Sequence, residues 1–335
     1  MKQYYTEVEL TGSKWQLDYS DKVLFIGSCF TENIGEIMQG LKFQTCINPF
    51  GIVYNPLSVS ASLRRLMAAK NYTEDDLFKQ DGYWGSFDFH GRYSASNRAD
   101  ALSGMNRQVA EGHQFLSEAG YLVITLGTAW VFEHRQTRQI VANCHKFQAS
   151  AFTRYRLSSN RIIDDFKELL STLWKFNPNL KVLFSVSPIR HLKDGANGNQ
   201  LSKSGLLLAV DQLVSEFGTE RCDYFPAYEI VMDELRDYRF YAADLVHLSP
   251  VAVEHIWSKF RQHYISSEAL NLMSDIEKIS KAMQHRPLRR DSPAYVNFLN
   301  QNLNKLRDLT FCFPYLNFQH ETEHFKNEMN GCEIF

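Results

Sequence analysis

The chain has 335 residues, with 36 basic against 38 acidic side chains and a net charge of −2. That near-balance lacks the basic surplus of a protein built to bind nucleic acid or an anionic membrane. A hydrophobic content of 44%, with 13% aromatics, is enough to bury a core and argues against extensive disorder.

The first ten residues, Met1 to Leu10, are too polar for a signal peptide. No run approaches the roughly 18 apolar residues of a membrane-spanning helix. The six cysteines (Cys29, Cys46, Cys144, Cys222, Cys312, Cys332) are scattered and form no CxxC pair, which weakens zinc-ribbon and redox-dithiol readings. Reduced thiols and a cytoplasmic location are therefore expected.

In chain order, residues 23–26 read as a buried strand. A helix over 31–39 follows, with Thr31 as its cap. A second strand covers 42–47. Residues 56–69 carry Leu57, Leu63 and Leu66 at near-helical spacing, with Pro56 in the first turn. A helix over 101–119 precedes a third strand at 121–126. Residues 129–133 and 139–143, separated by Arg135-Gln136-Thr137-Arg138, read as a hairpin grafted onto the end of that strand. Residues 150–176 are expected to be helical, with Ile162, Ile163, Phe166, Leu169, Leu170 and Leu173 on one stripe. A strand over 181–186, a helix over 201–217, a strand over 222–225 and a helix over 250–264 complete the pattern. From about Ser267 onward the chain reads as mostly helical. Continuous apolar strands alternating with helices predict an α/β fold with a doubly wound parallel sheet. The expected boundaries are a domain over 1–266 and a helical extension over 267–335, suited to a cap, an appendage or an oligomer contact.

Two segments carry chemistry. In Ile26-Gly27-Ser28-Cys29-Phe30 a strand ends and a helix is about to begin. That turn places Ser28 or Cys29 at the carboxyl end of a parallel strand, where open sheets bind ligands. Unpaired N–H groups at the helix start favour a thiolate and an oxyanion. In Asp244-Leu245-Val246-His247, the carboxylate can hold one imidazole nitrogen while the other faces a nucleophile.

The two blocks, in this order, resemble the SGNH or GDSL hydrolase superfamily. The closer resemblance is to the GSCFA family. It rests on Gly27-Ser28-Cys29-Phe30, with Thr31 where the family name calls for Ala. Further matching segments are Asn48-Pro49-Phe50-Gly51-Ile52-Val53-Tyr54-Asn55-Pro56, Thr125-Leu126-Gly127-Thr128-Ala129-Trp130, Ala142-Asn143-Cys144-His145-Lys146 and Val186-Ser187-Pro188-Ile189-Arg190-His191. The resemblance spans roughly residues 5–265. It implies a three-layer α/β/α, flavodoxin-like fold and ester-directed chemistry, and carries no substrate with it.

The superfamily's nucleophile is the third residue of its opening block. That position is Cys29 here, so Cys29 is the favoured nucleophile and Ser28 the alternative. His247 is then the base and Asp244 its orienter. Expected oxyanion donors are the Cys29 N–H, Gly51 after the second strand, Thr128, and Asn143 replacing the Asn that the superfamily carries after its third strand. His90, His145 and Arg190 are candidate pocket residues, and Arg190 with His191 suits an anionic group. The cluster Asn143-Cys144-His145-Lys146 is too short to define a metal site, and no cofactor is expected. The expected activity is an acyl esterase working on a small-molecule or carbohydrate ester. The alternatives are an O-acyltransferase acting on a carbohydrate and a non-catalytic binding protein on the same fold.

Overall fold

The structure is a computed structural model that describes residues 6–11, 15–290 and 292–332. Met1 to Tyr5, part of the polar N-terminal stretch, and the side chain of Cys332 lie outside the described residues. Five strands form the central parallel sheet: β1 (Lys22–Gly27), β2 (Gln44–Ile47), β5 (Tyr121–Leu126), β9 (Lys181–Val186) and β10 (Cys222–Phe225). Their spatial order is β10-β9-β5-β1-β2. Numbered among themselves these strands run 2-1-3-4-5, the flavodoxin-like doubly wound order.

The sheet is covered on both faces, which explains why its strands read as unbroken apolar runs. Successive side chains point to opposite faces. Val23, Phe25, Tyr121, Val123 and Leu183 enter one core. Leu24, Ile26, Leu122, Ile124, Val182 and Phe184 enter the other. Helices α2 (Pro56–Ala68), α3 (Arg98–Glu118), α4 (Ser159–Phe176) and α5 (Gly195–Phe217) cover the second face. Helices α1 (Cys29–Gly40) and α7 (Pro250–Tyr264) cover the first. A short turn, α6 (Ala227–Glu229), follows β10 and passes into a π-helical turn over Ile230–Glu234.

The C-terminal region is helical from Ser267: α8 (Ser267–Met283), α9 (Pro293–Cys312) and α10 (Gln319–Cys332). Its apolar residues Ile276, Ile279, Leu299, Leu306 and Phe325 are continuous with the core on the α1 and α7 face. None of the described helices is long and apolar enough to cross a membrane.

Two local features differ from the sequence expectation. Helix α1 begins at Cys29 and its N-cap is Ser28, so Thr31 lies inside the helix and is buried rather than capping it. The stretch 150–176 is not one helix. Its first part forms β8 (Phe152–Arg156), which pairs with β6 (Trp130–His134), itself paired with β7 (Ile140–Val141). The grafted hairpin is thus a three-stranded antiparallel sheet. Thr153 and Arg154 are half-buried and Tyr155 and Arg156 exposed, too weak an apolar signal to separate from the strong helical stripe that follows. A second hairpin joins β3 (Phe78–Gln80) to β4 (Tyr83–Gly85). Asp81 and Gly82, both at positive φ, form its two-residue turn, as Asp-Gly does in type I′ turns.

One contact governs the start of α1. Gly27 has φ +143°, and a Cβ placed there would lie 2.2 Å from the Thr125 carbonyl oxygen of the neighbouring strand. Only glycine allows that approach. Gly27→Ala should therefore lose about 3 kcal/mol of stability through strain and overpacking. A lowered urea midpoint at unchanged m-value would show it.

Candidate active site

The carboxyl ends of β1, β5 and β9 open into a cleft of about 420 Å3. It is lined by residues from segments far apart in sequence, including Cys29, Tyr54, Thr128, Asn143, Arg190 and His247. A hollow of similar size between α9 and α10 contains none of these groups.

Cys29 is the first residue of α1, directly after the Gly27 turn. Ser28 donates its N–H to the Thr125 carbonyl at 3.2 Å, and Asn48 Oδ1 accepts the Gly27 N–H at 2.8 Å. Those bonds brace the turn from both neighbouring strand ends. Ser28 is 1% exposed, its Oγ has no hydrogen-bond partner, and it does not line the cleft. Cys29 does.

Burial pushes the Cys29 thiol up. Its own N–H and that of Phe30 pull it down, Glu32 pushes it up, and Lys203 pulls it down. The net direction is upward, so Cys29 rests mainly as a thiol near neutrality.

The His247 loop is rigid by construction. Asp244 Oδ1 accepts the N–H groups of Val246 and His247, both at 2.9 Å, and Asp244 Oδ2 lies 2.5 Å from His247 Nδ1. Leu245 takes positive φ to close this turn. The His247 hydrogen bonds and the Val246 N–H hold the Asp244 carboxyl down at about 2. With Nδ1 engaged, Nε2 is the ring nitrogen left for the cleft. Arg190, from the loop after β9, donates from Nη2 to the Leu245 carbonyl at 2.7 Å and packs its guanidinium 4.7 Å from the Tyr241 ring centroid. It therefore ties the β9 end to the His247 loop. His247 remains open to solvent, its side chain 56% exposed. Among the described residues no hydrogen bond joins Cys29 to His247; both line the same cleft.

Other expected site residues divide. Thr128 lines the cleft, but its N–H goes to the Tyr54 carbonyl. Its Oγ1 accepts the Trp130 N–H at 3.2 Å and pairs with Ser202 Oγ at 3.1 Å. Ser202 Oγ already accepts the Ala129 N–H. A Ser202-to-Thr128 bond therefore leaves the Thr128 hydroxyl proton free to donate. Asn143 also lines the cleft, with Oδ1 turned to the His145 N–H at 2.8 Å.

Gly51, His90 and His145 do not line it. The Gly51 N–H closes a turn onto the Asn48 carbonyl at 2.7 Å, and its positive φ and missing Cβ let His90 pack against it. His90 Nδ1 caps a single helical turn through the Arg92 N–H. His145 Nε2 bonds the Ser86 carbonyl at 2.8 Å, and its ring packs against Phe78. Burial lowers the pKa of both histidines. They stitch the long loop 70–97 to the sheet edge. Among the described residues, no three His, Cys, Asp or Glu side chains gather closely enough to hold a metal ion.

Sequence reasoning missed Lys203. It is 1% exposed, and its Nζ donates to the carbonyls of Gly127 at 2.7 Å and Ser187 at 2.5 Å. It thus bridges the carboxyl ends of β5 and β9 under the cleft floor. Burial pushes its ammonium down to about 7, and the Cys29 thiolate is the charge that pulls it back up. The clue was available: Lys203 sits at helical spacing with Leu206, Val210 and Leu213, all buried on one stripe of α5. A lone Lys on such a stripe is easily read as the helix's polar edge. Tyr54, Trp130, Phe132, Arg154, Lys193 and Asp194 also line the cleft without having been singled out.

The molecule is therefore an α/β/α protein with a Cys thiol and an Asp-held imidazole facing one cleft. It belongs to the GSCFA family: the GSCFA family model matches residues 22–260. A model of the GSCFA domain protein C-terminal domain matches residues 276–331. A search of curated proteins finds no match.

The low Lys203 ammonium has a measurable consequence. Alkylation of Cys29 by iodoacetamide should rise with pH around a midpoint above the ~8.5 of a free thiol, because burial raises the thiol. Lys203→Met should leave that midpoint nearly in place, because an ammonium pushed down to about 7 is mostly deprotonated before the thiol ionises. Site-resolved mass spectrometry across pH 6–11 would read both profiles. A clear upward shift of the midpoint in folded Lys203→Met would show that Lys203 keeps its proton alongside the thiolate.

Proposed function

We propose that the chain is a thiol-based acyl-ester hydrolase of the SGNH type, with Cys29 as nucleophile. The observation that carries this reading is the convergence of the opening and closing motifs on one cleft. Cys29 stands at the N-terminus of α1, and His247, its Nδ1 engaged by Asp244, lines the same cavity.

Because the thiol rests protonated, its proton must leave as the sulfur attacks. His247 Nε2 takes that proton while Sγ bonds to the ester carbonyl carbon. Asp244 keeps the imidazole in the tautomer that can accept it and stabilises the cation that forms. Collapse of the tetrahedral intermediate breaks the ester C–O bond. His247 returns the proton to the leaving alcohol, and a thioester remains on Cys29. Water, deprotonated by the same imidazole, then attacks the thioester and releases the acid and the thiol. In this reading the helix N-terminus and the Asn143 amide hold the oxyanion. Solvent reaches His247 freely, and an open site favours water over an alcohol acceptor. Hydrolysis is therefore preferred to transfer.

The test is an intact-mass search for acyl-enzyme with a panel of activated esters. Adducts are expected on wild type and Ser28→Ala and none on Cys29→Ala. Asp244→Asn should slow acylation by ~10²–10⁴-fold, since the imidazole loses its orienter. An adduct lost in Ser28→Ala but kept in Cys29→Ala would move the nucleophile by one residue. No adduct from any ester, on a protein whose Cys29 still alkylates, would sink the hydrolase reading.

A further inference from the structure

The lining of the cleft has a charge at odds with the rest of the molecule. The whole chain carries −2. The cleft is lined by Arg154, Arg190 and Lys193 against one carboxylate, Asp194. Asp194 is fully engaged: both its oxygens bond the Arg154 guanidinium, Oδ2 to Nη2 at 2.6 Å and Oδ1 to Nη1. Arg190 and Lys193 have no carboxylate partner among the described residues.

Charges just outside the lining do not cancel this surplus. Asp244, on the His247 loop, spends its oxygens on the Val246 and His247 N–H groups and on His247 Nδ1. Glu32, near Cys29, is paired with Arg92 at 2.9 Å.

The same lining is aromatic. The Arg154 guanidinium lies 4.4 Å from the Trp130 ring centroid, and Lys193 Nζ lies 5.4 Å from that of Phe132. These rings lie on the antiparallel sheet β6–β7–β8, so the insertion after β5 builds this side of the cleft. Cys144, in the loop after β7, also lines it. Burial raises the Cys144 thiol, while Lys193 and then Arg154 pull it down. Their positive charge thus reaches the cavity and is not confined to the outer surface.

We propose that this cleft selects acyl substrates carrying an anionic group (carboxylate, phosphate or sulfate), held between Lys193, beside the Phe132 ring, and Arg190, at the His247 loop. The proposal deepens the ester-hydrolase reading and rests on the same cleft being the substrate site. Cationic side chains without counterions in a cavity walled by rings attract anions and disfavour neutral competitors. Aromatic faces supply the apolar contact that a short acyl or sugar chain needs.

The charge test does not require ester activity. Iodoacetate and iodoacetamide alkylate cysteine through the same displacement of iodide by sulfur and differ chiefly in charge. Their rates on the native protein would be followed site by site by mass spectrometry, with exposed Cys312 on α9 as an internal reference. The iodoacetate-to-iodoacetamide ratio should be at least about threefold higher at Cys144 and Cys29 than at Cys312. Lys193→Glu, or 0.5 M salt on wild type, should bring it down by about threefold or more. Ratios at Cys29 and Cys144 no higher than at Cys312, or unchanged in Lys193→Glu, would overturn the proposal.

A second arm compares acylation by the 4-nitrophenyl monoester of adipate with that by 4-nitrophenyl hexanoate. Faster acylation by the adipate ester supports anion selection, and faster acylation by the hexanoate refutes it. Failure of both esters counts against the ester chemistry alone, and the alkylation ratios then decide the charge selection.

Discussion

Everything at the cleft depends on how closely β1 can approach β5 where β1 ends. Gly27 stands in register with Thr125, and its Cα occupies space that any Cβ would contest with the Thr125 carbonyl. Because the strands stay in contact to that point, α1 starts two residues later, with Cys29 in its first turn. The side chain of Asn48 reaches from the end of β2 to bond the Gly27 N–H. Three strand ends are thereby locked around one turn, and the position of the Cys29 sulfur follows from backbone geometry rather than from side-chain packing.

A buried ammonium lies beneath that turn. Lys203 donates to two strand-end carbonyls, and those bonds offset part of its desolvation. Removing water from a cation is costly, and the cost is tolerated only where hydrogen bonds and an opposing charge return it. The electrostatics of the site therefore come in layers. A cation sits below, a helix N-terminus beside the sulfur, and an imidazole held by a carboxylate faces solvent across the cleft. In the proposed reaction the layers divide the work: the helix N-terminus favours negative charge on sulfur, and the imidazole moves the proton.

The family's C-terminal segment takes no part in the cleft. Its helices extend the core on the α1 and α7 face, behind the helix that presents Cys29. Lys42, just after α1, pairs with Glu321 on α10 at 2.5 Å, and Tyr19 donates to the Leu41 carbonyl at 3.0 Å. These contacts fasten the C-terminal end of α1, while the cleft uses its N-terminal end.

The sequence by itself determined the parallel sheet and the order of its elements, because strands buried on both faces must be apolar throughout and helices must carry a stripe. The strands over 121–126, 181–186 and 222–225 and the helix over 250–264 were legible to the residue for that reason. The two chemistry-bearing blocks were legible as well, since a glycine turn before a helix and an Asp three residues before a His are local patterns. Only the tertiary structure decided which side chains meet. His90 and His145 were candidate pocket residues, yet their ring nitrogens bond backbone groups outside the cleft. Gly51 stands at the right strand end, but its N–H closes a turn. Lys203 lies beneath the cleft, and the wall of Arg154, Lys193 and Trp130 joins it although no local chemistry marks those three. Periodicity records whether a residue is buried. It does not record what lies opposite, and that depends on strand register and on how an inserted sheet folds back over the strand ends.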